Sequence, residues 1–383
     1  MVALHGVALA LVFIGRANAG HTARGSEPIV PAVVAASWET VPILHPRLGQ
    51  AATLLPDGRV WIVGGATPNP LERTQAPITA SEIYDPLAKR FSPGPSLPSR
   101  ASSPLAAPVV DGILVAVGFD DNGARIVDVG KGTVRPVGPM SVVHGQGTMV
   151  PLLDGTALIF GGGGRESHSV AETYVPETRS FQRVGDLQVK RFRCPATLLK
   201  DGRVLLTGGT SSETATYNRR IADAELYDPT TRKFTRIASM RKSRDGHTAT
   251  ALPDGRVLIA GGYNEEDGTA ASAEIYDPKG ASFREIAPMR LPRANHAAAL
   301  LADGRVLIVG GNSHLRGKDL ILRSAEIFDP STERFVETAA MESAREDFSA
   351  TLLSTGDVLI VGGWSGAEGG TAALFHLEGK SRE

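Results

Sequence analysis

The chain has 383 residues, with 40 Lys and Arg against 41 Asp and Glu, for a formal net charge of −1. No basic field draws it toward nucleic acid or acidic lipid. Its single cysteine excludes an internal disulfide and any site built from several thiolates, and its 43 glycines and 25 prolines favour many turns over long helices.

In chain order, the first feature is an apolar run from Val7 to Ile14, followed by Ala17-Asn18-Ala19. A short apolar run closed by small-x-small is what signal peptidase accepts, and this one is too short to span a bilayer of about 30 Å. The region before it carries no Lys or Arg. Residues 1–19 are read as an export signal, 20–32 as linker, 33–377 as the folded domain and 378–383 as a tail. A secreted or periplasmic, soluble, monomeric protein with no membrane span is expected.

Next comes a repeat. PDGRVWIVGG (56–65), KDGRVLLTGG (200–209), PDGRVLIAGG (253–262) and ADGRVLIVGG (302–311) are copies of one unit. Weaker copies stand at 110–118, 153–162 and 354–363, which makes seven, with turn glycines 43 to 54 residues apart. Each strong copy, and the weaker one at 153–162, leads to a second signature of the type AEIYDP, and an aromatic follows seven residues after its Tyr or Phe: Tyr84 and Phe91, Tyr174 and Phe181, Tyr227 and Phe234, Tyr276 and Phe283, Phe328 and Phe335. The second copy keeps the interval with Val127 and Val134.

This pattern predicts a four-stranded meander. Asp-Gly turns the chain between the first two strands because Gly accepts positive φ. VLIVGG reads as a strand buried on both faces. Pro ends the third strand, since it cannot donate to a ladder, and the spaced aromatic lies in the fourth. One such sheet cannot bury its faces alone, so the copies must pack in a ring. The seventh copy lacks a fourth-strand aromatic, while Trp38 stands nine residues before Arg47, as Phe91 stands nine before Arg100. The N-terminal segment is therefore predicted to supply the missing strand and close the ring.

Strands alternate in direction, so the loops after strands two and four share a face. The stretch after each Gly pair varies from 9 to 16 residues, while the Asp-Gly turns are nearly uniform. Variable loops on a rigid scaffold are where binding resides. At that rim the innermost strands are entered by Arg47, His144, Arg191, Arg244, Arg293 and Arg345 in one register, with Arg100 one residue out of it. The recurring Arg reads as structural, pairing with the recurring Glu of Ala-Glu-x-Tyr. Three residues on stand Gln50, Cys194, His247, His296 and Phe348; the paired histidines read as repeat residues before metal ligands. Asp245, Asn295, Glu346, Asp347 and Arg193 belong to single blades and are candidates for a polar funnel at the axis. Phe119, Tyr263 and Trp364 follow strand-two glycines and offer rings for stacking, or else cover blade edges. Loop charges such as Arg219, Arg220, Arg316 and Lys318 against Glu265, Glu266 and Asp267 read as a solvated rim.

A Gly pair after an apolar strand, then Tyr, then a spaced aromatic, resembles the kelch pattern over about residues 33–377. The resemblance implies an all-β fold, a seven-bladed kelch-type β-propeller whose ring is closed by the N-terminal strand. RFRCPATLLKDGRVLLTGG (191–209) further resembles the segment bearing the cross-linked cysteine of galactose oxidase and glyoxal oxidase. In that family the cysteine tunes a copper–tyrosyl radical, which implies a tyrosine two residues after the next blade's Arg and a Tyr-His pair in a later blade. Here those positions hold Gly246 and Asn295-His296. Copper-radical catalysis is therefore not expected, and no cofactor or metal is. The expectation is a module that binds a protein or glycan on its long-loop face through residues drawn from Gln50, Arg193, Cys194, Asp245, His247, Tyr263, Asn295, His296, Glu346, Asp347 and Trp364. The alternative is a sugar- or metabolite-active enzyme using acid, base and histidine side chains in the funnel.

Overall fold

The computed structural model describes residues 34–69, 74–116, 122–162, 169–214, 217–315, 317–364 and 371–378. The expected export signal and linker lie outside them, as do Phe119, Arg316 and most of the C-terminal tail. Among the described residues no helix is long and apolar enough to cross a membrane.

Each repeat folds as one antiparallel four-stranded sheet. In blade 1 the strands are Ala51–Leu54, Val60–Val63, Ser81–Asp85 and Arg90–Pro93. Its turn is closed by Gly58 N–H donating to Leu55 O at 3.0 Å, and Arg59 folds back onto Asp57, an exposed pair worth little to stability. The second strand is fully buried in six blades, Val60-Trp61-Ile62-Val63 in the first and Val306-Leu307-Ile308-Val309 in the sixth, and in blade 2 it is buried beyond its first residue, Gly112. That explains its unbroken apolar run. Innermost strands begin at Ala51, Leu105, Thr148, Ala196, Thr248, Ala297 and Ser349. Each lies against the next, and the seventh against the first, so the sheets form a closed ring.

The spaced aromatics face each other across strands three and four. Tyr84 pairs with Phe91, Tyr227 with Phe234 and Tyr276 with Phe283, their ring centroids 5.0, 4.8 and 4.9 Å apart. Val127 and Val134 stand opposite each other at the same place in blade 2. Blade 7 obeys the same rule with strands from both ends of the chain. Ala36–Val41 pairs with Ala372–Leu377, Trp38 opposite Phe375 with centroids 5.1 Å apart, and Trp38 Nε1 donates to Ala339 O at 2.8 Å. The predicted closure is present.

The recurring Arg and Glu form a buried clip. Arg191 donates through Nη2 to Glu225 at 2.7 Å and through Nη1 to the carbonyls of Gly208 and Asp223. Glu225 also accepts the N–H groups of Gln188 and Val189, in the link arriving from the preceding blade. One ion pair thus ties strand two, strand three and the inter-blade link together. Arg47–Glu82, Arg244–Glu274 and Arg293–Glu326 repeat it, and His144–Glu172 stands in at 3.1 Å in blade 3.

Candidate functional site

The site is set by the three residues after each clip Arg. The first pairs with the residue following that blade's Gly pair: Asp245 with Tyr263, Ala294 with Asn312, Glu346 with Trp364, Phe192 with Thr210 and Leu48 with Ala66. The second adopts a left-handed backbone, with φ of 53° at Arg193, 61° at Gly246, 52° at Asn295 and 53° at Asp347. These residues also link neighbouring blades: Asn295 N–H donates to Gly246 O, and Asp347 N–H to Asn295 O. The third residue then turns away from the axis.

That turn divides the predicted residues. Gln50, Cys194, His247 and His296 enter the joints between blades. His247 and His296 meet the hydroxyls of Thr207 and Thr248 in the preceding blade, each at 3.0 Å. Gln50 donates to Val361 O at 2.7 Å. Here lies the reason for the Gly pair: a Cβ on Gly261 (φ +66°) would run into Arg293 O and, at 2.8 Å, into His296 Cε1. Burial and the nearby Arg244 hold His247 well below the usual imidazole range, and burial with Arg293 brings His296 to about 3. Both rings are neutral near neutral pH. Cys194 sits with its sulfur 3.4 Å from the carbonyls of Pro195 and Thr207, and burial pushes its thiol up to about 11.

Arg193, Asp245, Asn295, Glu346, Asp347, Tyr263 and Trp364 gather instead at the mouth over blades 4 to 7. Arg193 Nη2 donates to Asn295 Oδ1 at 2.9 Å. Asn312 Nδ2 donates to Glu346. Burial and the adjacent Asp347 raise the half-buried Glu346 carboxyl above its ordinary value, while Asp347 is exposed at the mouth beside the Arg193 charge. Asp245 accepts the Thr210 hydroxyl at 2.7 Å and lies 3.6 Å from Arg220 Nε, and that guanidinium stacks 4.7 Å from the Tyr263 ring centre. Arg220, Asn312 and Thr210 were not among the predicted residues, although two of them occupy the register that flagged Tyr263 and Trp364. Arg220 is part of the site and no mere rim charge.

The long loops are hairpins rather than irregular segments. Ala66–Asn69 pairs with Thr74–Pro77, Thr210–Thr214 with Tyr217–Arg220, Tyr263–Asn264 with Gly268–Thr269 and Asn312–Leu315 with Lys318–Ile321. A groove of about 570 Å³ between the last two is lined by Tyr263, Thr269, Asn312, His314, Leu320 and Glu346. A larger depression of about 780 Å³ lies among the Asp-Gly turns of blades 5 and 6. Its Arg256 is paired with Asp254 and Glu333, and Arg305 with Asp303, so its charges are spent on one another.

The residues present do not fit the copper–tyrosyl centre of the galactose oxidases. Where that centre needs a tyrosine this chain has Gly246, and a Cβ there would meet Asn295 Oδ1 at 2.7 Å. His296 is turned into a joint, and no cluster of three or more His, Cys, Asp or Glu suited to a metal occurs among the described residues.

Comparison with known proteins bears on the fold. The Kelch motif profile matches residues 191–241 and 246–290. An F-box/kelch-repeat protein of Arabidopsis thaliana is 30% identical over 152 residues, 38% of this chain and 38% of that protein. tRNA wybutosine-synthesizing protein 4 of Saccharomyces cerevisiae is 35% identical over 69 residues, 18% of this chain and 9% of that protein. The matches therefore span well under two thirds of either relative. A fungal alcohol oxidase of the AA5 family, solved in complex with copper, matches with a TM-score of 0.68 at 17% identity, over 89% of this chain and 76% of that chain. At that identity the likeness is one of fold. With the motif, the seven sheets and the closed ring all in place, the chain is a seven-bladed β-propeller of kelch repeats that shares its fold with that AA5 alcohol oxidase.

Proposed function

We propose that the protein is a recognition module whose hairpin face takes a basic side chain of a partner protein into the mouth of the propeller. The observation that carries this reading is the adjacency at the mouth of two carboxylates, the half-buried Glu346, whose carboxyl is raised by burial and by its acidic neighbour, and the exposed Asp347, with Arg193 the cation beside them. An incoming ammonium or guanidinium would relieve the excess negative charge, and charge-assisted hydrogen bonds are the stronger ones. Tyr263 already stacks Arg220, which leaves the half-buried Trp364 as the ring for a second cation or an apolar stem.

Fluorescence anisotropy with labelled decapeptides centred on Lys, Arg or acetyl-lysine tests this. Lys and Arg peptides should bind, and a Glu346→Gln/Asp347→Asn double variant should bind them at least tenfold more weakly. Equal binding of acetyl-lysine peptides, or binding confined to neutral glycans and indifferent to the double variant, would overturn it. The raised carboxyl of Glu346 favours one second reading, acid–base chemistry on a small polar substrate at that residue. Turnover of a sugar substrate that Glu346→Gln abolishes would establish that instead. We further propose that residues 1–19 serve as an export signal, so that the encounter occurs outside the cytoplasm; N-terminal sequencing of the mature protein from its native host tests this.

A further inference from the structure

In one blade the buried clip keeps its cation but not its anion. Blade 2 has lost the inner Arg together with the Glu, holding Ala101 and Arg125 at those positions. Blade 7 has kept the cation and lost only the anion: Ala373, opposite Ile360, stands where Glu82 stands opposite Ile62. Arg345 is 4% exposed. Its Nη1 still donates to the carbonyls of Gly362 and Thr371, and its Nη2 to Thr371 Oγ1 at 2.9 Å. In blade 6 the equivalent Nη2 bonds both Ser324 Oγ and Glu326, so in blade 7 the second bond is missing. Arg345 Nε is unpartnered, as are Arg244 Nε and Arg293 Nε in complete clips, so the deficit peculiar to blade 7 lies at Nη2. With no neighbouring carboxylate to hold it up, burial alone pulls this guanidinium down to about 10.

The other half of the cradle is the link. In four blades the Glu carboxylate collects two successive N–H groups there: Leu44 and His45, Gln188 and Val189, Arg241 and Lys242, Arg290 and Leu291. The matching groups of blade 7 belong to Glu342 and Ser343, both exposed. The Glu342 carboxylate is engaged with the Thr40 hydroxyl at 2.6 Å. A buried cation without its counter-ion costs several kcal/mol, and a cradle that grips a carboxylate in sibling blades is retained here without one.

We propose that the space beyond Ala373 Cβ is a binding site for a small free monocarboxylate, held by Arg345 Nη2 and by the N–H groups of Glu342 and Ser343. The atoms that separate Glu from Ala are one methylene and one carboxylate, so acetate is the ligand of matching size. Ala373→Glu supplies the same group covalently. Thermal melts at fixed ionic strength, with acetate replacing chloride, test the idea. The wild type should gain Tm along a saturating curve, as a ligand specific for the folded state requires. Ala373→Glu should melt higher in chloride and lose the acetate-dependent increment. An equal increment in both proteins, or an Ala373→Glu variant that melts below wild type, overturns the proposal. Should that variant fail to fold, line broadening of 13C-acetate by the wild type decides. Saturable broadening abolished by Ala373→Gln supports the site, and its absence sinks it.

Discussion

Replacing Glu225 with Ala removes the anion from a clip whose other members stay in place. Arg191 and Glu225 are both fully buried, and the carboxylate accepts Arg191 Nη2 at 2.7 Å, Gln188 N–H at 2.8 Å and Val189 N–H at 3.1 Å. The variant leaves a guanidinium and two amides without their acceptor inside the protein. Removing one partner of a buried pair costs about 3–5 kcal/mol. A chain of 383 residues unfolds with roughly 0.8 kcal/mol per degree of entropy, so Tm should fall by about 4–6 °C. The comparison that isolates burial is Arg203→Ala. That residue forms a salt bridge of the same 2.7 Å length with Asp201, but about a third of its side chain is exposed, and its loss should move Tm by less than about 1 °C. Differential scanning calorimetry of the two variants beside wild type reads both shifts. If Glu225→Ala melts within a degree of wild type, or no lower than Arg203→Ala, the clip does not hold the blades together.

Trp38→Ala removes an aromatic pair and the 2.8 Å bond to Ala339 O. Because Trp38 is only half-buried, the loss should be about 2–4 kcal/mol, at or below the usual range for a buried aromatic, and limited proteolysis should then cut first in blade 7. Cys194, buried with its thiol near 11, should resist iodoacetamide at pH 8 in the native protein and react promptly in guanidinium; rapid native alkylation would contradict its placement in the joint. The folded-state value of His296 is depressed to about 3. The stability linked to it is therefore present above about pH 6.5 and is lost as pH falls toward 3. His296→Gln should lack that part of the acid sensitivity in urea titrations at pH 4 and pH 7, and an unchanged pH slope would argue for a charged, solvated ring.

The ring was legible in the sequence because its determinants repeat. Asp-Gly, the Gly pair and the Tyr-to-Phe interval each mark one strand boundary, and the nine-residue spacing of Trp38 from Arg47 placed the strand that completes blade 7. The mouth was harder to read. Gln50, Cys194, His247 and His296 differ between blades just as Arg193 and Asp347 do, so variation alone does not separate the two groups. The left-handed turn two residues after each Arg separates them, sending one residue to the axis and the next into a joint. Arg193, Asn295 and Asp347 adopt that turn without being glycine, so no letter announces it. Thr210, Asn312 and Arg220 escaped for a related reason: they reach the site from hairpins whose pairing brings distant loop residues back over the axis.

The N-terminal strand of blade 7 is made long before its partners and is among the last to find its place. Ala36–Val41 has no sheet to join until Ala372–Leu377 has been made, and the bond from Trp38 to Ala339 spans 301 positions. Contacts of that sequence separation close slowly. Six blades can therefore be assembled while the seventh remains an open edge bearing an unsatisfied ladder, the kind of surface on which sheets from two molecules pair. Sealing is then an all-or-none event that turns a stack of sheets with two ends into a loop with none. Conditions that delay it should show up as aggregation during refolding, well before they show up as lower stability of the finished protein.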